Sequence, residues 1–210
     1  PIQKTCRPTK VCKDTCYFAV KLNASIPALK LQHRNLAFCQ KDPENFAKQV
    51  IYEYDNLGLN YLRWNGGGDL FDEAIIAIEY IRINRPDLVL WIVSRKAELA
   101  AELKFHKNHF IHLSLDRTLI DQKAQLLSMF KHSNIFFSYQ VHPDEILDST
   151  VIDEVDLVFI HDYAPVPTKF IKNIEKFCPL NGAESITDAC GQCRRCFDGT
   201  LGSLPSTANT

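Results

Sequence analysis

Between residues 43 and 163 the chain switches repeatedly between two spacings of apolar positions. In "PENFAKQVIYEYDNL" (43–57) Phe46, Val50, Ile51 and Tyr54 recur at three- or four-residue intervals, the stripe of a helix. Asp42 suits its cap and Pro43 its first turn. "NYLRWN" (60–65) reads as a short strand, and "DLFDEAIIAIEYIRIN" (69–84) as a helix that stops before Pro86. "DLVLWIVS" (87–94) is a continuous apolar run, as in a parallel strand covered on both faces. "RKAELAAELKF" is helical by propensity. "FIHLSLD" (110–116), "NIFFSYQV" (134–141) and "DLVFIHDY" (156–163) are further strands, with a helical "LIDQKAQLLSMF" between the first two.

Strand and helix in alternation predict βαβ units, right-handed crossovers and a parallel sheet. The expected fold is α/β: an incomplete (β/α) barrel or an open parallel sheet of about five or six strands. It spans residues 1–177, and a Cys-rich segment with a small polar tail follows over 178–210. In either architecture ligands gather at the carboxyl ends of the strands.

Charge adds little. The net charge of -1 gives no electrostatic reason to bind nucleic acid or an acidic membrane. Apolar runs such as "LVLWIV" are too short to cross a bilayer. Asn23-Ala24-Ser25 fits a glycosylation sequon, a pattern short enough to recur by chance. No signal peptide is visible, although a chain opening on Pro1 is compatible with processing.

The eight cysteines change the picture, because they crowd the two ends. Cys6, Cys12 and Cys16 open the chain, Cys178, Cys190, Cys193 and Cys196 close it, and Cys39 stands alone. This suits metal ligation in a reducing cytoplasm better than a disulfide framework, which remains the alternative. "CGQCRRC" spaces cysteines every third residue, with a Cys-Pro upstream, closer to ferredoxin-type ligation of a cubane than to paired zinc knuckles. Zinc stays open as the second option. "TCRPTKVCKDTCYFA" supplies three cysteines without an obvious fourth. Cys39 is either that fourth ligand or a small buried hydrophobe.

Three glycines, Gly66, Gly67 and Gly68, follow the first strand and lead into Asp69. Spacing excludes a Walker loop and a GxGxxG dinucleotide turn. A tight turn, with Asp69 as helix cap, competes with a backbone that lets a ligand approach. Ser114 and Asp116 end a later strand. His161, Asp162 and Tyr163 form an acid–base trio at another strand end, though adjacent residues cannot all face one cavity. His106, His109 and His112 recur every third residue and read as incidental. Arg194 and Arg195 read as exposed cations beside a negative cluster.

Together, the N-terminal cysteine triad, the glycine turn after a strand and the βα alternation resemble the radical SAM superfamily. More narrowly, "TCRPTKVCKDTCYFA", "RWNGGGDLF" and "CGQCRRC" are similar to the phage proteins called gene product 88 and their bacterial relatives. The superfamily resemblance implies that Cys6, Cys12 and Cys16 hold a [4Fe–4S] cluster that cleaves S-adenosylmethionine. It implies that Gly66, Gly67, Gly68 and Asp69 meet the methionine amino group and that Ser114 and Asp116 meet the ribose. Gln140 and His161 would line the cavity. A second four-Cys cluster at the C-terminus would relay electrons or clamp the fold. The partners implied are an unidentified substrate and an electron donor such as a flavodoxin or ferredoxin. The chain departs from the superfamily pattern in spacing its cysteines CxxxxxCxxxC rather than CxxxCxxC, and in carrying Asp69 where Glu is usual. A non-enzymatic iron–sulfur or zinc protein, used for binding or electron transfer, is the alternative from another class.

Overall fold

The computed structural model of the chain describes residues 2–6, 8–14, 16, 26–130, 135–160, 164–178, 193 and 195–196. Five strands, β1 (Leu62–Trp64), β2 (Leu90–Ser94), β3 (His109–Leu115), β4 (Ile135–Val141) and β5 (Leu157–Ile160), form one sheet in sequential order. Every pairing is parallel. Sequential order with right-handed crossovers sends each connection to the same side. The outcome is a curled open sheet, a half-barrel, with its helices on one face.

Side-chain alternation sorts the strands cleanly. Leu90, Ile92, Ile111, Leu113, Leu115, Phe137, Tyr139 and Val158 face the helix-side core. Trp91, Phe110, Phe136 and Leu157 face the other way and form a second apolar cluster with Cys178. A single residue extends the sheet beyond β5: Phe177 bridges Val158 in parallel, and the Cys178 amide donates to the Val158 carbonyl at 2.9 Å.

The helices are α1 (Ile2–Thr5), α2 (Lys10–Asp14), α3 (Ile26–Lys41), α4 (Pro43–Asn56), α5 (Asp72–Asn84), α6 (Ala97–Ala100), α7 (Lys123–Ser128) and α8 (Ser149–Glu154). At the start of α4 the Asp42 carboxylate accepts from the Asn45 amide, as the sequence predicts. Between Leu103 and the sheet the expected helix at 95–105 shrinks to the single turn α6, because Leu103 turns into the core and the Lys104 amide bonds to Glu79. α5 begins at Asp72 rather than Asp69, whose amide and carboxylate are engaged elsewhere. The pattern gives no warning of α3: Ile26, Leu31 and Phe38 on it are exposed, so its apolar residues make no single stripe. Among the described residues no helix is long and apolar enough to cross a membrane. The segment 179–192, the tail beyond 196 and residues 161–163 lie outside the described residues.

Candidate functional site

The carboxyl ends of β1, β2 and β3 meet at two buried carboxylates, and both hold the N-terminal cysteine segment. Asp69 follows the glycine turn. Its Oδ1 accepts from the Leu70 amide at 2.8 Å and from Ser94 Oγ at 2.6 Å, and the Arg95 amide reaches both of its oxygens at 3.3 Å. Its own amide donates to Thr5 Oγ1 at 2.9 Å, one residue before Cys6. Burial pushes the Asp69 carboxyl up from its ordinary range, against the pull of these donors. Asp69 is thus an internal clasp between β1 and β2, not the helix cap the sequence suggests.

Asp116, fully buried, ends β3. Its Oδ1 accepts from the Thr118 amide at 2.9 Å and Thr118 Oγ1 at 2.6 Å. Its Oδ2 accepts from Arg95 Nη1 at 2.6 Å and from Thr9 Oγ1 at 2.5 Å. Burial pushes this carboxyl up, but the Thr118 and Thr9 donors with the Arg95 charge outweigh it and hold it below the usual range. Thr9 in turn accepts from the Cys12 amide at 3.1 Å. Two threonines therefore fasten the cysteine segment to the strand ends, Thr5 beside Cys6 and Thr9 beside Cys12.

Fastening gathers the thiols. Cys6 is pushed up to about 11, first by burial, then by the charges of Asp69, Cys12 and Cys16. Burial also raises Cys12, Arg95 pulls it back, and Cys16 adds repulsion. As thiolates they would repel one another, and a metal that displaced their protons would offset that charge. They are neighbours without converging: among the described residues no three His, Cys, Asp or Glu side chains surround one metal position. Cys39 packs in the helix-side core at 1% exposure, and burial with the Glu73 charge pushes it up to about 12. It takes the part of a buried hydrophobe.

The glycine turn lines a groove of about 340 Å³ that also touches Thr5 and Asp69. Small-molecule sites run roughly 300–1,000 Å³. Gly68 has φ 97 and Asn65 has φ 61, left-handed values that glycine adopts freely and asparagine tolerates. At Gly66 the backbone demands nothing: a Cβ there meets no atom within 4 Å. Asn65 Nδ2 is buried without a hydrogen-bond partner among the described residues. Asn65 went unnoticed in the sequence, although its place between the strand and the glycines was the available signal.

Ser114 is half-buried on the face of β3 opposite the helices, paired in register with Ser138 on β4. Gln140 lies on the same face of β4 and donates to the Phe159 carbonyl at 3.5 Å. His161 and Cys190 lie outside the described residues. The three spaced histidines separate. The His106 and His109 rings lie 4.7 Å apart, tilted by 55°, at the amino end of β3, while His112 turns to the opposite face.

Among the described C-terminal cysteines, Cys178 and Cys196 gather on that opposite face. Cys178 is buried with Trp91, Phe110, Phe136 and Leu157, and Cys196 packs against the same cluster. Cys193 is half-buried. The described cysteines carry thiols, none in a disulfide. Arg195 is not the exposed cation expected from the sequence. Its Nη1 donates to the Phe177 carbonyl at 3.4 Å and its Nη2 to the Glu175 carbonyl. His112 Nε2 donates to the Cys196 carbonyl at 2.9 Å; a carbonyl only accepts, so that nitrogen carries the hydrogen. Burial pushes His112 down to about 4, despite that bond, and leaves the ring neutral.

No curated protein and no solved structure matches the chain. The sequence profile of gene product 88 matches residues 1–199, and the chain belongs to that family.

Proposed function

We propose that Cys6, Cys12 and Cys16 hold a [4Fe–4S] cluster with one open iron, and that S-adenosylmethionine binds across the groove at Gly66 and Gly67. Cys178, Cys190, Cys193 and Cys196 hold a second metal centre. The observation that carries this reading is the pair of threonine bonds, Thr5 with Asp69 and Thr9 with Asp116, which fasten the chain beside Cys6 and Cys12 to the strand ends near a groove that Gly66 and Gly67 help line. When bound, such a cluster supplies one-electron reduction of the sulfonium.

The protein's own residues bind and orient. Gly66 leaves room on the groove wall, and Asn65 Nδ2 offers a donor for a carboxylate or hydroxyl oxygen. Asp69 shapes the turn through its clasp rather than meeting the ligand first. Arg95, held by Asp116, sets a positive charge beside Cys12 that offsets the charge of a thiolate-bound cluster. Ser114, the expected ribose contact, and Gln140 share the sheet face away from the helices, opposite the α3 and α4 side of the groove.

One observation favours a second reading for the C-terminal end. Cys178 and Cys196 sit in an apolar cluster, the setting of a closed structural site. A chain with closed sites at both ends is a binding or electron-transfer module.

Anaerobic purification, with iron, sulfide and zinc quantified and EPR recorded with and without S-adenosylmethionine, tests the proposal. Iron with sulfide and a spectrum altered by S-adenosylmethionine supports the open cluster. Iron without that response leaves closed clusters. Zinc alone, with no cluster formed on anaerobic reconstitution, overturns the iron–sulfur reading.

A further inference from the structure

The C-terminal cysteines are held to the sheet by bonds that involve no sulfur. Arg195 stands between Cys193 and Cys196, and its guanidinium reaches the carbonyls of Glu175 and Phe177, the residues leading into Cys178. This ties the 193–196 turn to the segment that extends the sheet beside β5. His112, in the middle of β3, holds the Cys196 carbonyl. Its ring lies 5.7 Å from Trp91 and 5.4 Å from Phe136, so aromatic neighbours fix its direction. Two donors therefore hold the backbone around this cysteine turn, one at the Cys196 carbonyl and one at the Glu175 and Phe177 carbonyls. Neither is aimed at open space.

We propose that His112 and Arg195 are positioning residues that dock the C-terminal cysteine turn on the sheet before any metal arrives, so that Cys196 already lies beside Cys178. The claim deepens the reading of these cysteines as metal ligands, and it predicts that the docking needs no metal. A turn already ordered loses less freedom on binding, and the metal gains that difference in affinity.

The test is alkylation of the full chain, stripped of metal and kept reduced, with iodoacetamide in short pulses and each cysteine read by mass spectrometry. In the unsubstituted chain Cys178 and Cys196 react many-fold more slowly than in denaturant. Arg195→Ala and His112→Phe raise the rates at Cys193 and Cys196 towards the denatured values and leave Cys6 and Cys12 unmoved. His112→Gln, whose amide keeps an N–H donor, restores part of the protection. Reloading the C-terminal site then shows affinity reduced about 10- to 100-fold in Arg195→Ala, the usual scale for groups that orient ligands.

If His112→Phe fails to fold by circular dichroism, Arg195→Ala decides, because its half-buried side chain leaves the apolar cluster filled. Unchanged rates at Cys193 and Cys196 in Arg195→Ala overturn the docking, even in a chain that loads metal normally. Protection lost in that variant supports the docking, even in a chain that binds no metal at either end, an outcome that sinks the metal reading alone.

Discussion

The two cysteine segments are fastened to the same strand by opposite kinds of chemistry. At the carboxyl end of β3, Asp116 holds the N-terminal segment through Thr9, with Arg95 alongside. Four residues earlier, roughly 13 Å of extended chain, His112 holds the C-terminal segment through a backbone carbonyl inside an aromatic cluster. The first attachment is charged, rich in hydroxyls and adjacent to a groove. Among the described residues, the second has no carboxylate: a neutral histidine among aromatic rings and the Arg195 guanidinium both donate to backbone carbonyls. A metal that must meet a ligand needs the first setting, where charge is offset and the backbone is approachable. A metal that only holds chain together is served by the second, where low polarity strengthens each hydrogen bond and excludes competitors.

The contrast is most sharply broken by Cys12→Ser. We expect complete loss of the N-terminal metal and of any spectral response to S-adenosylmethionine, with the C-terminal metal retained; metal analysis and EPR of the variant measure it. Loss of metal at both ends would show that the two regions are one site.

Asp69→Ala comes next. It strands the Ser94 hydroxyl and the Leu70 and Arg95 amides in a buried setting, and should cost about 3 kcal/mol in urea denaturation. Thr9→Val removes two hydrogen bonds, the one it donates to the Asp116 carboxylate and the one it accepts from the Cys12 amide, and should cost about 2 kcal/mol. Its sharper readout is alkylation: Cys12 becomes more reactive while Cys196 keeps its wild-type rate. Equal effects at both cysteines would erase the distinction between the attachments.

Acid probes the sheet that carries both regions. His109 is pushed down to about 3 by burial, then by the charges of His106 and Arg82, from an unfolded value of 6.5. Between those values the unfolded chain binds a proton that the folded chain refuses. Stability is therefore full above pH 6.5, falls as pH drops through the window, and is lost by pH 3. His109→Leu should shrink the loss between pH 7.5 and 5.5 by about 1.4 kcal/mol. Denaturation curves at the two pH values give the difference.

The smallest effect on stability is expected at Gly66→Ala, under about 0.5 kcal/mol, since its Cβ meets no neighbour. The same variant should weaken S-adenosylmethionine binding, read by EPR titration or calorimetry. An unchanged ligand response would reduce the glycine turn to a connector.

Local spacing determined a good deal. The βαβ alternation, the parallel sheet, the α4 boundary with its Asp42 cap, and the place of Gly66–Gly68 beyond a strand end are all legible, because periodicity and turn chemistry act within a few residues. The crowding of cysteines at both ends pointed to metal before any fold was considered. Tertiary structure alone decided how those cysteines are held. Thr5 meets Asp69 across 64 residues, Thr9 meets Asp116 across 107, and His112 meets Cys196 across 84. No periodicity reaches that far. Which polar groups pair is settled only when folding removes water and each buried donor takes the acceptor nearest to it. For that reason Asp69 turned from helix cap to clasp, Arg195 from exposed cation to tie, and His112 from an incidental histidine to a pin.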